Sequence, residues 1–492
     1  MSGLLERARS VFKRRPKNEE DDDESQFDDQ RDDRFDDDER FDRDDRGPIS
    51  PVVGPNGVET TRPQQHHGQP HHAQPQHHPN KPGQHHGHPH QPANHHPPRP
   101  QTGDGQQPLP QVPATRSGQL EIALHNNTNS STVYASITGQ AIDRNNALFL
   151  LSSDAETPYY PSSPSATGTK LAQDISIQLG RPGNTVYATI PRLAGGRIWF
   201  SIDRPLVFAL NPGPGLVEPS IFNNADPNHS TNFGFAEFTF NSFQIFANIS
   251  YVDFVGLPVA LSLEDTNGST QHVSGIGANG LETIAQGLRA QTAKDGRRWS
   301  SLIVPRNNGQ TLRVLSPNSA ILLNPSFFQT YWTDYVNAVY DRYASQRLTI
   351  DTQASYGRVS GQVVNGNLNF GAGGTFPRPT AADIFSCSSG PFATGSNAEA
   401  NAIIPRLAAA FNRSTLLVSS EQPDGVGPKR YYREATTNHY ARIVHAANLD
   451  GHGYAFPYDD VTPTGGVPQE GAVFSYSPAL MTVSVGGRHA HA

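Results

Sequence analysis

The fold of this chain is decided by residues 235–254, which read FAEFTFNSFQIFANISYVDF. Aromatic and β-branched residues dominate both halves of this stretch, and the segment NSFQ separates the halves. The pattern predicts two antiparallel strands, over 235–240 and 246–252, joined by a turn. Two carboxyl groups, Glu237 and Asp253, stand in this otherwise apolar and amide-rich hairpin.

The sequence before and after the hairpin continues the strand pattern. From about residue 118, short apolar runs recur about every ten residues with Gly, Pro, Asn and Asp between them; they include QLEIALHN, TVYASITG, ALFLLS, DISIQL, TVYATIP, GRIWFSI and LVFALN. Runs of this length and spacing are typical of an all-β sandwich or barrel. We therefore expect a β-rich body over residues 117–268 that carries both acids.

A different pattern begins near residue 280. The segments LETIAQGLRAQTAKDG and FFQTYWTDYVNAVYDRYASQ place apolar residues at helical spacing, and WSSLIVP and LRVLSP between them have strand character. These segments predict an α/β subdomain over residues 269–365. Strand-type runs then return, with one more helix in NAEANAIIPRLAAAFNRST, so residues 366–492 are expected to complete the β-rich body.

Residues 1–116 hold almost no run that could bury apolar area, and we expect this extension to be disordered. Its first 46 residues carry 18 acidic and 11 basic side chains, and so seven of the chain's eight net negative charges. Residues 2–15 could form a short basic helix, for which weak contact with a membrane surface or a protein is one hypothesis. The tract 66–96 holds 12 of the 20 histidines, and we interpret it as a solvated spacer, not a metal site.

Composition argues against several classes of partner. The chain outside the acidic block is close to neutral, so we expect no nucleic-acid binding, which needs clustered Lys and Arg. The single cysteine, Cys387, allows no intrachain disulfide, and we expect a buried, inert thiol. No window approaches the roughly 18 apolar residues of a membrane span, and no secretory signal is visible, so conventional secretion is not expected. We expect a monomer without a cofactor or a metal.

Glu237 and Asp253 would face each other if the turn were centred near residue 245. Opposed like charges destabilise a hairpin, so such a pair needs solvent, a counter-charge or a task; a bulge or irregular end that separates the acids is the alternative. The task that fits two carboxyls and a neutral ligand is glycoside hydrolysis, in which one acid protonates the leaving oxygen and the other attacks the sugar or activates water. Solvated surface acids are the competing interpretation.

The surroundings of the two acids suggest different roles. The phenylalanines around Glu237 would desolvate it and favour its protonated form, which suits a proton donor. Asp253 is the shorter acid and follows Ser250 and Tyr251, and we expect it to stay ionised.

Two segments resemble the thaumatin-like family. FAEFTFN followed by ANISYVDFVGLP is similar to the family pattern A-E-F-T-L-N and then D-I-S-L-V-D-G-F-N-x-P, and GYAFPYDDVTP with MTVSVGG resembles the region that closes the thaumatin-like sandwich. Within that superfamily the chain resembles family 64 of the glycoside hydrolases, the β-1,3-glucanases, in TPYYP, IPRLAGGRIWFSIDRPLVFALNPGPGLVEPS, NNADPN, YWTDYV and NHYARIVHAANLDGHGYAFPYDDV. The resemblance covers about residues 118–488, and it implies a thaumatin-like β-sandwich or barrel with an additional α/β subdomain.

The same resemblance implies an endo-acting, inverting enzyme that cuts β-1,3-glucan in an open groove. Carried over by motif, Glu237 would be the general acid and Asp253 the general base. The positions that would line the groove are Thr239, Asn241, Phe246, Ser250, Asp459 and Asp460. Of these, Phe246 would stack on a sugar ring, and the Asp-Asp pair would stand on the opposite wall. The family implies a cell-wall or extracellular location, whereas the missing signal leaves the cytoplasm open.

Other residues leave alternatives open. Asn248 replaces the first Asp of the thaumatin-like pattern, which removes a negative charge from the expected groove. We interpret Trp199 as a core residue, whereas Tyr159 and Tyr160 fit a sugar subsite or the scaffold equally well. Residues 438–440 could orient the substrate or belong to a structural network.

Two rival hypotheses stand beside the hydrolase. One is a non-catalytic thaumatin-like glucan-binding protein that would use the same groove, although retention of both acids argues against it. In the other, the N-terminal extension is the functional part, an interaction segment that carries the β-rich body as cargo.

Overall fold

The computed structural model describes residues 118–487, and the N-terminal extension with its basic segment and histidine tract lies outside the described residues. The described part is mainly β, with five sheets and six α-helices. None of these helices is long and apolar enough to cross a membrane.

The strands of the described part are short and follow one another closely. In chain order they are β1 (Gln119–Asn126), β2 (Val133–Ala141), β3 (Ala147–Leu151), β4 (Pro158–Tyr159), β5 (Thr169–Lys170), β6 (Ile177–Gln178), β7 (Thr185–Pro191), β8 (Leu193–Ile202), β9 (Ala209–Asn211), β10 (Gly215–Val217), β11 (Asn232–Phe240), β12 (Ile245–Ile249), β13 (Phe254–Val255), β14 (Val259–Asp265), β15 (Thr270–Val273), β16 (Ile303–Pro305), β17 (Thr311–Leu315), β18 (Leu348–Asp351), β19 (Arg358–Val364), β20 (Asn367–Asn369), β21 (Thr375–Phe376), β22 (Glu421–Gln422), β23 (Ala472–Ser475) and β24 (Pro478–Val485). The helices are α1 (Gly280–Asp295), α2 (Pro317–Leu323), α3 (Thr333–Ser345), α4 (Ala381–Ser386), α5 (Ala398–Asn412) and α6 (His439–Ala447).

Two large sheets form the body. The eight-stranded sheet has the order β23-β12-β11-β8-β2-β3-β4, with β6 paired to β2, and a five-stranded sheet has the order β15-β14-β24-β1-β7. Buried residues of both sheets, such as Ile122 of β1 and Ile198 of β8, belong to one hydrophobic core. The remaining sheets have the orders β10-β9-β5, β13-β17-β16 and β21-β20-β19-β18-β22. The mainly β prediction is confirmed, whereas the thaumatin-like topology and the boundaries at 268 and 365 stay predictions.

Strand β11 shows how the sequence pattern selects the two faces of the eight-stranded sheet. Ala236, Phe238 and Phe240 are buried in the core shared by the two sheets. Glu237 and Thr239 are half-buried, and they point the other way because successive side chains of a strand alternate between faces. We call this outer face, which carries Glu237 and Thr239, the site face.

One end of the site face is covered by apolar side chains. Trp199, Phe233 and Phe235 pack there with Phe208 in a second hydrophobic cluster. Trp199 is 2% exposed, and its Nε1–H donates to the hydroxyl of Thr138 at 3.1 Å, which confirms it as a core residue. The polar part of the site face therefore begins next to this aromatic cluster.

The hairpin has a different register from the predicted one. The N–H of Asn241 donates to the carbonyl of Gln244 at 2.9 Å, so the turn is tighter and lies earlier in the chain than a centre near residue 245. Glu237 therefore pairs with Asn248, and the prediction that it faces Asp253 was wrong. Beyond Ile249 the chain leaves the ladder, and Asp253 lies in a bend before β13. The irregular end that separates the two acids, the alternative considered for the hairpin, is what the structure has.

The helices contribute to the same core as the two large sheets. Leu288 of α1, Tyr343 of α3 and Phe411 of α5 are fully buried in it. Cys387 is buried at the C-terminal end of α4, where burial raises the pKa of its thiol, as expected for an inert cysteine.

Candidate active site

A row of polar side chains crosses the middle of the site face. Glu237 of β11 pairs with Arg197 of β8 on one side and with Asn248 of β12 on the other. Directly opposed residues of antiparallel strands point to the same face, so these three side chains form one transverse row. The next row of the site face contains Thr239 and Phe246.

Arg197 is the counter-charge of this row. Its side chain is 8% exposed, and its Nε and Nη2 each donate to Oε1 of Glu237 at 3.2 Å. Its Nη1 forms an ion pair with Oε2 of Glu218, the residue that follows β10. A planar guanidinium shared between two carboxylates fixes the orientation of both. Glu237 is thus held through one of its two oxygens.

Glu218 is a third carboxyl group in the site. Burial raises the pKa of Glu218, and the charge of Arg197 opposes that rise. Sequence reasoning missed both Glu218 and Arg197. A charged residue inside the apolar strand GRIWFSI was an available signal for Arg197, but the pairing of β8 with β11 cannot be read from a local pattern. Glu218 carried no comparable signal, because it reaches the site from a loop.

Asp253 lies where the chain leaves β12 and enters β13. Its carbonyl accepts the N–H of Ser316 at 2.9 Å, which ties this bend to the N-terminal end of α2. Burial, and next the negative charge of Glu237, raise the pKa of Asp253 to about 6, against the opposing charge of Arg197. The pKa of Asp253 thus lies above its ordinary range, and the expectation that this carboxyl is ionised near neutral pH stays a prediction. The two acids interact electrostatically although they are not cross-strand partners.

The expected apolar surroundings of Glu237 are only partly present. Phe238 points into the core on the opposite face of the sheet. Phe235 shares the site face with Glu237 but packs on Trp199, with ring centroids 4.9 Å apart. The hydrogen-bonding contact of Glu237 is the guanidinium of Arg197, which no single strand could have indicated.

Four further residues predicted for the groove are spread along the hairpin. Thr239 and Phe246 are cross-strand partners, and Phe246 is 37% exposed. Asn241 uses its side-chain oxygen within the turn, where it accepts the N–H of Gln244 at 2.9 Å. Ser250 is half-buried beyond the end of β12 and forms a β-bridge with Tyr454. Thr239 and Phe246 thus remain the residues of this group with side chains available next to Glu237.

The two adjacent aspartates at 459 and 460 have different environments. Asp459 is fully buried and accepts hydrogen bonds from Arg413 at 3.0 Å and from His445 at 2.8 Å. Burial alone would raise the pKa of Asp459, but the charges and hydrogen bonds of His445 and Arg413 outweigh it and lower the pKa. Asp459 is therefore a structural residue, which corrects the expectation that it contacts the substrate. Asp460 is exposed and lines a cavity of about 400 Å³ with Arg406.

Of the residues with open alternatives, Asn438 and Tyr440 belong to the scaffold, whereas both alternatives stay open for Tyr159 and Tyr160. Asn438 caps the first turn of α6 through its side-chain oxygen. Tyr440 is fully buried, and its hydroxyl donates to the carbonyl of Tyr251 at 2.6 Å, so it supports the chain just before Asp253. Tyr159 and Tyr160 are half-buried, and each packs against one of the two hydrophobic clusters.

A mainly β body with one carboxyl group and an arginine on a sheet face, and a second carboxyl group close enough to interact with both, has the groups that glycoside hydrolases use. Within residues 118–487 no cluster of His, Cys, Asp and Glu side chains suits a metal ion. The chain belongs to glycoside hydrolase family 64, because the family model described as beta-1,3-glucanase matches residues 118–485. The resemblance to glycoside hydrolase family 64 noted in the sequence is thereby confirmed.

Solved structures and curated proteins agree with this membership. The chain is similar to a laminaripentaose-producing beta-1,3-glucanase in complex with laminaritetraose, at 28% identity and a TM-score of 0.67 over 75% of this chain and 98% of that one. It shares the fold of a beta-1,3-glucanase domain from Clostridium beijerinckii, at 22% identity and a TM-score of 0.58 over 76% of this chain and 99% of that one. It is 27% identical to a glucan endo-1,3-beta-glucosidase of Cellulosimicrobium cellulans over 287 residues, which is 56% of this chain and 50% of that protein. The chain thus spans about half the length of this curated relative.

Proposed function

We propose that this chain hydrolyses internal bonds of β-1,3-glucan by single displacement with inversion. The observation that carries the proposal is the pair of Glu237 and Arg197 on the site face, together with Asp253 in the following bend, whose carboxyl interacts electrostatically with both. The similarity to a β-1,3-glucanase solved with laminaritetraose and to a glucan endo-1,3-beta-glucosidase supports the choice of substrate. Neutral glucan also suits a site whose neighbouring row, Thr239 and Phe246, carries no charge.

Asp253 is proposed as the general base that activates water. A base works best when its pKa lies just below the working pH, because it is then ionised and still accepts a proton readily. The pKa of Asp253, raised to about 6, meets this condition near neutral pH better than an ordinary aspartate would.

Glu237 is proposed as the general acid that protonates the departing glycosidic oxygen. Arg197 binds Oε1 of Glu237, which leaves Oε2 to carry the proton toward the substrate. Asn248, the cross-strand partner on the other side, is an uncharged neighbour that adds no third charge beside the acid. Arg197 and Glu218 act as positioning residues, since they reach the substrate through Glu237.

Leaving-group chemistry separates the two roles. We expect Glu237→Gln and Asp253→Asn each to lower laminarin hydrolysis at least about 100-fold, because proton transfer contributes that much. A dinitrophenyl laminari-oligosaccharide needs no protonation of its leaving group, so Glu237→Gln should recover activity on it and Asp253→Asn should not. The exposed Glu264→Gln on β14 serves as the control and should retain full activity. If only Asp253→Asn regained activity on the dinitrophenyl substrate, Asp253 would be the general acid and Glu237 the general base.

The stereochemistry and the mode of cleavage are tested on the unaltered chain. Proton NMR of the first product should show the α-anomer, because a single displacement inverts the β-linkage. Early digests of laminarin should contain a range of oligosaccharides. A first product in the β-configuration would exclude inversion, and sedimentation with insoluble glucan without any soluble sugar would identify a non-catalytic binding protein.

A further inference from the structure

Three aromatic side chains stand exposed at one edge of the eight-stranded sheet. Phe246 of β12 is 37% exposed, Phe474 of β23 is 41% exposed, and Tyr476 just beyond β23 is 57% exposed. We call these three residues the edge platform. Burying large aromatic groups is favourable, so a cluster that stays in solvent marks a contact surface more often than isolated exposed residues do.

The edge platform lies on the site face. Phe246 pairs with Thr239 on one side and with Phe474 on the other, so Phe246 and Phe474 point to the same face as Glu237, and the ring of Tyr476 contacts that of Phe474. Along β23 the neighbours Val473 and Ser475 are buried, which confirms that Phe474 and Tyr476 face outward. The platform therefore begins one row away from the proposed general acid and continues to the edge of the sheet.

The backbone N–H and C=O groups of Phe474 at this edge already have hydrogen-bond partners. The N–H of Phe474 donates to the side-chain oxygen of Gln271 at 3.1 Å, and the side-chain amide of Gln271 donates to the carbonyl of Phe474. Phe474 therefore directs its backbone groups away from β12, which makes it and Phe246 a non-hydrogen-bonded pair whose side chains approach closely. A second copy of the chain could not add a strand at Phe474 without displacing Gln271.

The geometry of the rings suits a sugar more than a flat aromatic partner. Phe474 and Tyr476 meet edge to face, with centroids 5.0 Å apart and planes at 87°, and both rings remain partly exposed to solvent. The C–H groups on one side of a β-glucose ring form a small apolar patch that packs on such surfaces, while the hydroxyl groups around it need polar neighbours. Thr239 can supply one, because it lies in the same transverse row as Phe246 and Phe474, and none of these three side chains is charged.

We propose that Phe474 and Tyr476 form an additional glucan-binding subsite, which holds sugar units of the substrate beyond Phe246 and away from the reacting bond. The proposal rests on the proposed function for the identity of the ligand. The subsite would make affinity depend on chain length, because only a longer oligosaccharide reaches from the acids to the edge of the sheet.

Binding measured without hydrolysis tests the subsite. In the Glu237→Gln background, titration calorimetry with laminarihexaose should show a dissociation constant at least about 10-fold higher after Phe474→Ala with Tyr476→Ala, as expected for the loss of about 1.4 kcal/mol. Tyr187→Ala is the matched control, because Tyr187 is equally exposed, at 56%, on β7 of the other large sheet. The control should leave the dissociation constant unchanged.

Conservative variants separate stacking from general apolar contact. Phe474→Tyr with Tyr476→Phe keeps both rings and should retain the affinity, whereas Phe474→Leu with Tyr476→Leu keeps apolar area and should lose it. A dissociation constant within twofold of the Tyr187→Ala control for the alanine pair would overturn the subsite. So would a change of sedimentation coefficient in the alanine pair, which would identify the platform as a contact between two copies. Failure of hydrolysis in the unaltered chain would remove the proposed function but leave this binding result standing.

Discussion

Glu237 illustrates how much of a residue's chemistry is set by its cross-strand neighbours. Arg197 binds it on one side and Asn248 stands on the other, so the acid has one counter-charge and one neutral partner in its row. An aspartate at Asn248, as in the thaumatin-like pattern, would place two like charges directly opposite each other, which destabilises a strand pair. The neutral Asn248 therefore avoids a repulsion between two carboxylates in this row.

Replacement of Arg197 should change the pH dependence of the reaction. Arg197 holds down the pKa of Asp253, so Arg197→Gln should raise that pKa above 6 and move the acidic limb of the profile of kcat/KM to higher pH. We expect kcat to fall about 10–100-fold as well, as with other lost supporting interactions. Arg197→Lys keeps the positive charge but loses the planar guanidinium with its paired N–H donors. It should therefore lower kcat while the acidic limb of the kcat/KM profile stays near its original pH. Arg289→Gln, an exposed ion-pair residue of α1, is the control. If the acidic limb of the kcat/KM profile stayed at the same pH in Arg197→Gln, the charge of Arg197 would not control the pKa of Asp253.

Replacement of Asp253 should stabilise the protein at neutral pH. The folded pKa of about 6 lies above the ordinary value of 3.8, so the favourable contribution of this carboxyl is complete below pH 3.8 and is lost as the pH rises through 6. Asp253→Asn removes that loss and should raise the free energy of unfolding by about 1–3 kcal/mol at pH 7.5, with no gain at pH 3.5. Urea unfolding at both pH values measures this, with the exposed Asp334→Asn as the control. An equal change in the free energy of unfolding at the two pH values would contradict the raised pKa of Asp253.

Among the elements, the β8–β11 ladder determines where the site forms. It aligns Arg197 with Glu237 and, in the next position on the other face, Gly196 with Phe238. The ring of Phe238 occupies the space over Gly196, since an added Cβ there would lie 2.4 Å from its Cζ. The close approach of the two strands beside Arg197 thus depends on a glycine.

Gly196→Ala should displace Phe238 and destabilise the fold. We expect a loss of about 1–3 kcal/mol, typical of overpacking in a core, and a lower kcat because Arg197 is the adjacent residue. Gly427→Ala is the control, because an added Cβ there meets nothing within 4 Å. Chemical unfolding of both variants measures the difference, and equal stabilities would show that the ladder adapts without cost.

At the scale of the whole molecule, one core joins sheets and helices, and a buried ionic network connects the later segments. Arg413 follows α5, His445 belongs to α6, and both bind Asp459 of the final loop region. Burial of His445 would lower its pKa, but the charge of Asp459 outweighs burial and raises it. The protonated His445 therefore contributes stability that is complete below the ordinary histidine pKa and is lost as pH rises through the raised value.

Asp459→Asn should be far more disruptive than Asp460→Asn. Loss of the charge leaves Arg413 and His445 buried without their partner, which costs about 3–5 kcal/mol, whereas the exposed Asp460 should change stability by about 0.5 kcal/mol or less. Urea unfolding at pH 6 compares the two variants, and thermal unfolding gives an independent measure. A stable, fully folded Asp459→Asn would show that the network is dispensable.

Much of the architecture and part of the site were predictable from the sequence. The alternation in β11 and the helical spacing in α3 depend on local burial, so consecutive residues are enough to predict both elements. The register of the hairpin was missed, because a turn centred only two to three residues earlier moves the partner of Glu237 from Asp253 to Asn248 and changes every other cross-strand partner. The burial of Asp459 was missed for a different reason, since its partners lie elsewhere in the chain.

The sequence by itself determined the β-rich body, the family and the two acids of the hairpin, because these follow from local periodicity and from motifs written in consecutive residues. Only the tertiary structure decided which groups surround them. Arg197 reaches Glu237 from another strand, and Glu218 reaches Arg197 from a loop. Phe474 pairs with Phe246 from the far end of the chain. Strand pairing between distant segments set these contacts, and with them the raised pKa of Asp253 and the edge platform.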